Sequence, residues 1–138
     1  MVSYLLDTNL VSEVMKPRPA SSVVAWLGKN EGECFLSAVT VGEIERGIAL
    51  LPNGRKRIRL QEAFREFLLE TEERILAFDL HVARRWAALT GRARRQGRTL
   101  PVLDSMIEAT ALHWDLTIAT RNVSDFIEAA TFDPWKRP

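Results

Sequence analysis

Three carboxylates and one amide are the residues of this 138-residue chain best suited to chemistry by type and position: Asp7, Glu43, Asp104 and Asn122. Asp7 directly follows the apolar run Ser3-Tyr4-Leu5-Leu6, and Asn122 follows Leu116-Thr117-Ile118-Ala119 with only Thr120 and Arg121 between. Glu43 and Asp104 lie near the starts of helical patterns. Converging side-chain oxygens suit hard divalent cations: magnesium and manganese favour octahedral oxygen coordination, take one or two carboxylates directly and keep waters and phosphate oxygens elsewhere. A cation so held polarises a phosphate, acidifies water and offsets charge on a leaving oxygen, which is the chemistry of phosphodiester hydrolysis. Cys34 is the single cysteine, so an internal disulfide and thiolate clusters are excluded and any metal is held mainly by oxygen. His81 and His113 fall on predicted helices away from the acidic segments and stay outside the candidate site.

Each of these positions also has a purely structural reading. Asp7 and Asp104 are suitable helix N-caps, Thr40-x-x-Glu43 has the form of a capping box, and Asn122-x-x-Asp125 can cap a final short helix. The case for chemistry therefore rests on their conjunction, which depends on the elements that position them.

The first apolar run reads as a strand, followed by a short helix with Leu10, Val11, Val14 and Met15 at helical spacing up to Lys16-Pro17. A second amphipathic helix carries Val23, Val24, Trp26 and Leu27 and stops near Gly28, and Glu33-Cys34-Phe35-Leu36 follows as a strand. Thr40-Val41-Gly42-Glu43 opens a third helix, which Pro52-Asn53-Gly54 breaks before an antiparallel helix over residues 55–71. Ile75-Leu76-Ala77-Phe78 is a strand, Asp79 a cap, residues 80–96 a long helix ended by Gly97, and Asp104 begins another helix. The strand before Thr120 follows, and Phe126-Ile127 and Thr131-Phe132 close the pattern. Trp26, Trp86 and Trp114 sit among apolar helix residues and are expected in the core.

Short apolar strands alternating with helices predict an α/β fold, a three-layer α/β/α sandwich with a short, mostly parallel central sheet, as one domain over residues 1–138. In such sheets ligands bind outside the carboxyl ends of the strands, which brings Asp7, Glu43, Asp104 and Asn122 toward one rim.

A formal net charge of +1 hides an asymmetry: residues 55–98 hold 12 Lys/Arg against 6 Asp/Glu, and the remainder holds 7 against 12. The basic half fits a nucleic-acid backbone and the acidic half a cation site. Arg55-Lys56-Arg57-Ile58-Arg59 and Arg92-Ala93-Arg94-Arg95-Gln96-Gly97-Arg98 are the densest basic stretches, suited to RNA phosphates or to an acidic partner surface. No apolar run approaches the roughly 18 residues that span a bilayer, and the N-terminus lacks a basic flank, so a soluble cytoplasmic protein with no membrane partner is expected.

Four segments in order, Leu5-Leu6-Asp7-Thr8-Asn9, Leu36-Ser37-Ala38-Val39-Thr40-Val41-Gly42-Glu43, Asp104-Ser105-Met106-Ile107-Glu108-Ala109-Thr110-Ala111 and Ala119-Thr120-Arg121-Asn122, carry a resemblance that covers nearly the whole chain. They resemble the PIN-domain ribonucleases, and within them the VapC and FitB toxin group. Phe132-Asp133-Pro134-Trp135 is similar to the C-terminal signature of the FitB branch. The resemblance implies a Mg2+- or Mn2+-dependent endoribonuclease, the toxin of a type II toxin–antitoxin pair, with Asp7, Glu43 and Asp104 on the metal. Thr8 and Thr120 match supporting polar positions. It also implies an RNA substrate, a cognate antitoxin and a homodimer, for which the apolar faces of the early helices are a candidate surface.

This chain departs from the family pattern at Asn122, where the usual fourth acid is an amide; Asp125, three residues on, can compensate. The departure keeps open a non-enzymatic alternative, a PIN fold that binds RNA or a partner and cuts weakly. A haloacid-dehalogenase phosphatase needs a second acid two residues after the first, where this chain has Asn9, and a receiver domain needs a Lys after the fourth strand, which is missing.

Overall fold

A computed structural model describes residues 2–136. In chain order the elements are β1 (Tyr4–Leu6), α1 (Thr8–Val14), α2 (Ser21–Lys29), β2 (Cys34–Ser37), α3 (Ala38–Ala49), α4 (Arg55–Thr71), β3 (Ile75–Leu76), α5 (Leu80–Arg95), α6 (Val102–Trp114), β4 (Thr117–Ala119) and β5 (Thr131–Phe132). The strands pair in the order β3-β2-β1-β4-β5, and every pairing among the described residues is parallel.

Strand alternation sorts the core into two faces. Leu6, Cys34, Leu36 and Ala119 pack with Leu10, Val11, Val23, Ile44, Ile48 and Phe64, from α1 to α4. Leu5 and Ile118 point the other way, against Ile107, Ala111 and Leu116 around α6, while Val82 and Leu89 of α5 meet Ala109 behind them. This is the three-layer arrangement that the alternating elements predict. Leu5, Leu6, Leu36 and Ile118 are fully buried, each contributing about 1.5–3 kcal/mol of burial free energy. Cys34 is buried in the first face, where desolvation pushes its thiol up to about 12.

Several local expectations need correction. Trp26 and Trp86 are half-buried, but Trp114 is 50% exposed: it is the last residue of α6, beyond the surface the helix packs, and the His113 ring meets it edge-on. The third helix begins at Ala38, not Thr40, because Ser37 is its N-cap and accepts from the Val39 amide. Glu43 therefore lies inside α3, and the Thr40-x-x-Glu43 capping box does not form. Asp104 is the third residue of α6, with Pro101 at the cap position. Asn122 precedes a short 3-10 turn without capping it through its side chain.

No helix among the described residues is long and apolar enough to cross a membrane.

Candidate active site

The chain runs outward from β1 through β2 to β3 and then returns to place β4 on the other side of β1. The β1/β4 junction is thus the topological switch point, the place where parallel sheets open a crevice at their carboxyl ends. Leu6 stands in register with Ala119, so the next residues, Asp7 and Thr120, are neighbours, and the Asp7 amide donates to the Ala119 carbonyl at 3.0 Å.

Asp7 is buried and both its carboxylate oxygens are engaged. Oδ1 accepts from the Thr8 amide at 2.8 Å, which makes Asp7 the N-cap of α1, and Oδ2 accepts from the Thr120 hydroxyl at 2.8 Å. The Thr120 hydroxyl, itself fully buried, accepts in turn from the Asn122 amide at 3.0 Å and from the Asn9 side-chain nitrogen at 3.3 Å. A hydroxyl has one proton and two lone pairs, so Thr120 is saturated and its orientation is fixed. The Thr8 hydroxyl donates to Glu43 Oε1 at 2.9 Å, tying α3 to the first turn of α1.

Asp104 completes the set from α6. It is half-buried, and burial, followed by the charges of Asp7 and Asp125, raises its pKa. Asp7 is raised as well, first by burial and then by the charges of Glu43 and Asp125, against the lowering effect of the Thr120 and Thr8 hydrogen bonds. Of the sequence-predicted residues, Asp7 thus feels the charge of Glu43 and Asp104 that of Asp7, the Asp125 charge reaches both aspartates, Thr120 holds Asp7 and Thr8 holds Glu43. Asn122 contributes its backbone amide to Thr120, while its residue is exposed.

The like charge gathered around Asp7 and Asp104 matches the demand of a hard divalent ion. Among the described residues no three His, Cys, Asp or Glu side chains form a ready metal cage. Such an arrangement suits a hard cation that takes few direct carboxylates and keeps several waters. Asn9 adds an oxygen the sequence reading missed, since its buried Oδ1 has no hydrogen-bond partner among the described residues.

Glu108 was also missed. It is buried in α6, one turn after Asp104, and its Oε2 accepts from the amides of Ile127, Glu128 and Ala129 at 2.9, 2.7 and 2.9 Å. The signal was a single charge within the apolar run Met106 to Ala111. His81 and His113 stack at 5.7 Å, with His113 nine residues beyond Asp104, about 13 Å along α6, and so stay outside the site.

Comparison with known proteins follows the same outline. The PIN domain family model matches residues 4–131. Toxin FitB of Neisseria gonorrhoeae is 42% identical over 135 residues, spanning 95% of this chain and 97% of that protein. VapC ribonuclease Y4jK of Sinorhizobium fredii is 38% identical over 137 residues, spanning 96% and 97%. The crystal structure of FitAcB from Neisseria gonorrhoeae matches with a TM-score of 0.88 at 40% identity, over 96% of this chain and 98% of that one.

Proposed function

The chain belongs to the PIN-domain family, in the branch of the FitB and VapC toxins, and we propose that it is a metal-dependent endoribonuclease, the toxin of a type II toxin–antitoxin pair, acting as one domain in the cytoplasm. The observation that carries this reading is Asp7: a buried carboxylate at the β1/β4 switch point, hydrogen-bonded on both oxygens and coupled to Glu43 and Asp125. Asp7, Glu43 and Asp104 are the residues that would hold Mg2+ or Mn2+. When bound, the cation supplies charge neutralisation at the scissile phosphate and acidifies attacking water.

The remaining work belongs to the chain. Thr120 and Thr8 are positioning residues that keep Asp7 and Glu43 from turning away. The Asp104 side chain makes no hydrogen bond among the described residues, so both its oxygens are free to face a cation or water, and burial with the charges of Asp7 and Asp125 raises its pKa. Asp125 supplies the fourth negative charge that Asn122 lacks, and Asn122 fixes Thr120 through its amide. An acidic cleft of this kind also suits a cationic side chain, so a cognate antitoxin would inhibit by presenting an arginine to the carboxylates. The toxin name of the gonococcal relative supports such a partner, and homodimerisation accompanies this reading.

Partner-free protein incubated with structured RNAs and Mg2+ or Mn2+ tests the proposal. Cleavage that needs metal and is lost in folded Asp7→Asn and Asp104→Asn proteins supports it. Cleavage that survives in both variants overturns the carboxylate mechanism. The amide at position 122 favours one competing reading, a weakly cutting module that binds RNA or a partner; retained RNA binding without cleavage by any form would establish that instead.

A further inference from the structure

Resting on the ribonuclease reading, we propose that a pocket between the C-terminal half of α5 and the first turn of α6 seats one nucleotide of single-stranded RNA beside the scissile bond. Arg94 and Arg98 hold its phosphate, and Trp86 and Leu100 contact its base. The pocket encloses about 400 Å3, enough for a small ligand, and these four residues line it together with Val102 and Ser105.

The arginines of the chain are not equivalent. Arg92 is spent on Glu128, which accepts two bonds from it at 3.0 and 2.8 Å. Arg57 donates to Asn53, Arg59 to the Met15 carbonyl and Arg74 to the Cys34 carbonyl, and Arg121 lies over the Trp135 ring. Arg94 and Arg98, like Arg84, Arg85 and Arg95 of α5, are exposed and have neither an acidic partner nor a side-chain hydrogen bond among the described residues, but of these five only Arg94 and Arg98 line the pocket. They reach the same hollow because α5 ends in a Schellman turn: Gly97 adopts φ 78, its amide donates to the Arg94 carbonyl, and the Arg98 amide donates to the Ala93 carbonyl. Only glycine adopts that conformation without strain.

The floor of the pocket is registered to the site. The Trp86 indole nitrogen donates to Ser105 Oγ at 2.9 Å, and that hydroxyl donates to the Val102 carbonyl at 2.6 Å. Val102 and Ser105 flank Asp104 in the first turn of α6. A base lying against Trp86 is therefore held at a fixed offset from Asp104, and two unpaired guanidiniums face the polyanion it belongs to.

The test is equilibrium binding of a fluorescein-labelled 12-nucleotide single-stranded RNA to Asp7→Asn protein, in a salt series, with cleavage kinetics measured in parallel on the wild-type background. Arg94→Ala/Arg98→Ala should weaken binding about tenfold and lower the slope of log affinity against log salt by about 1.4, roughly 0.7 per cation on a single strand. It should raise KM and leave kcat unchanged. Arg94→Lys/Arg98→Lys should keep the salt slope, and Arg84→Ala/Arg85→Ala, on exposed positions of the same helix, should match the parent. Equal affinity of the two alanine pairs overturns the proposal, as does an RNA that fails to bind the parent. A changed mass in light scattering with unchanged RNA affinity overturns it in favour of a protein partner. Failure of the ribonuclease reading is separately visible, as RNA binding without cleavage.

Discussion

Replacing Glu108 by glutamine tests how the site's fourth side is held. The Glu108 carboxylate is 1% exposed and accepts three backbone amides on one oxygen, from the residues that follow Asp125 and Phe126. It pins the segment whose Asp125 charge reaches Asp7 and Asp104, while the Arg92–Glu128 pair secures the same segment from α5. Glutamine keeps the volume and still offers a carbonyl oxygen, but charge assistance is lost. A hydrogen bond to an ionised acceptor contributes about 1.5–3 kcal/mol net against about 1 kcal/mol for a neutral one, so three bonds lose between about 1.5 and 6 kcal/mol if they add. Bonds that share an oxygen do not add, which sets the expected loss at about 2–3 kcal/mol. Alanine is less informative, because three unpaired buried amides plus a cavity approach the whole stability of a domain, about 5–15 kcal/mol. Urea unfolding gives the stability, and hydrogen exchange at residues 127–129 localises the effect. An unfolding free energy within about 0.5 kcal/mol of wild type, with unchanged exchange at those amides, would refute the reasoning.

Two further outcomes follow from the hydrogen bonds and charges around Asp7. Thr120→Val keeps the shape but strips Asp7 Oδ2, the Asn122 amide and the Asn9 nitrogen of their shared partner; kcat/KM for RNA should fall about 10–100-fold, and Thr120→Ser should restore most of it. The second concerns pH. The folded-state pKa of Asp7 is raised above its ordinary 3.8, so the native state binds the proton more tightly than the unfolded chain. Without divalent cation, the stability this group contributes is full below 3.8 and is lost as pH rises through the raised folded value. Melting curves in chelator should therefore show a smaller loss on the acid side for wild type than for Asp7→Asn, and Mn2+ should raise the wild-type Tm at neutral pH. Identical pH profiles for the two proteins in chelator would exclude Asp7 as the strained carboxylate.

The layers and Asp7 were legible because strand alternation and a polar residue at a strand end are local signals. Leu5 and Leu6, adjacent in sequence, face opposite cores, and Asp7 follows them at the switch point. The place of Glu43 beside Thr8 was only partly visible in sequence. The capping box at Thr40 misplaced the helix start, since Ser37 is both the last residue of β2 and the cap of α3, and strand patterning concealed the second role. Trp114 misled because helical periodicity continues to the end of α6, whereas the packed surface does not. The Glu108 nest and the Thr120 hub join residues about 20 and more than 110 positions apart, which no window of spacing registers.

The capping and chemical readings of these residues, rivals in the sequence, resolve differently at each position. At Asp7 the two are compatible, because a carboxylate has about four acceptor sites: Oδ1 caps α1 through Thr8, and Oδ2 is fixed by Thr120, leaving lone pairs on both oxygens. Capping thus serves the site, since the bond that starts α1 is the bond that stops Asp7 from rotating. At Glu43 and Asp104 capping is absent, and each carboxylate is carried inside a helix toward a neighbour of like charge. A buried aspartate held by two hydrogen bonds yet still raised in pKa is a group whose surroundings disfavour its charge. On the function proposed above, a hard cation bound by Asp7, Glu43 and Asp104 would offset that cost.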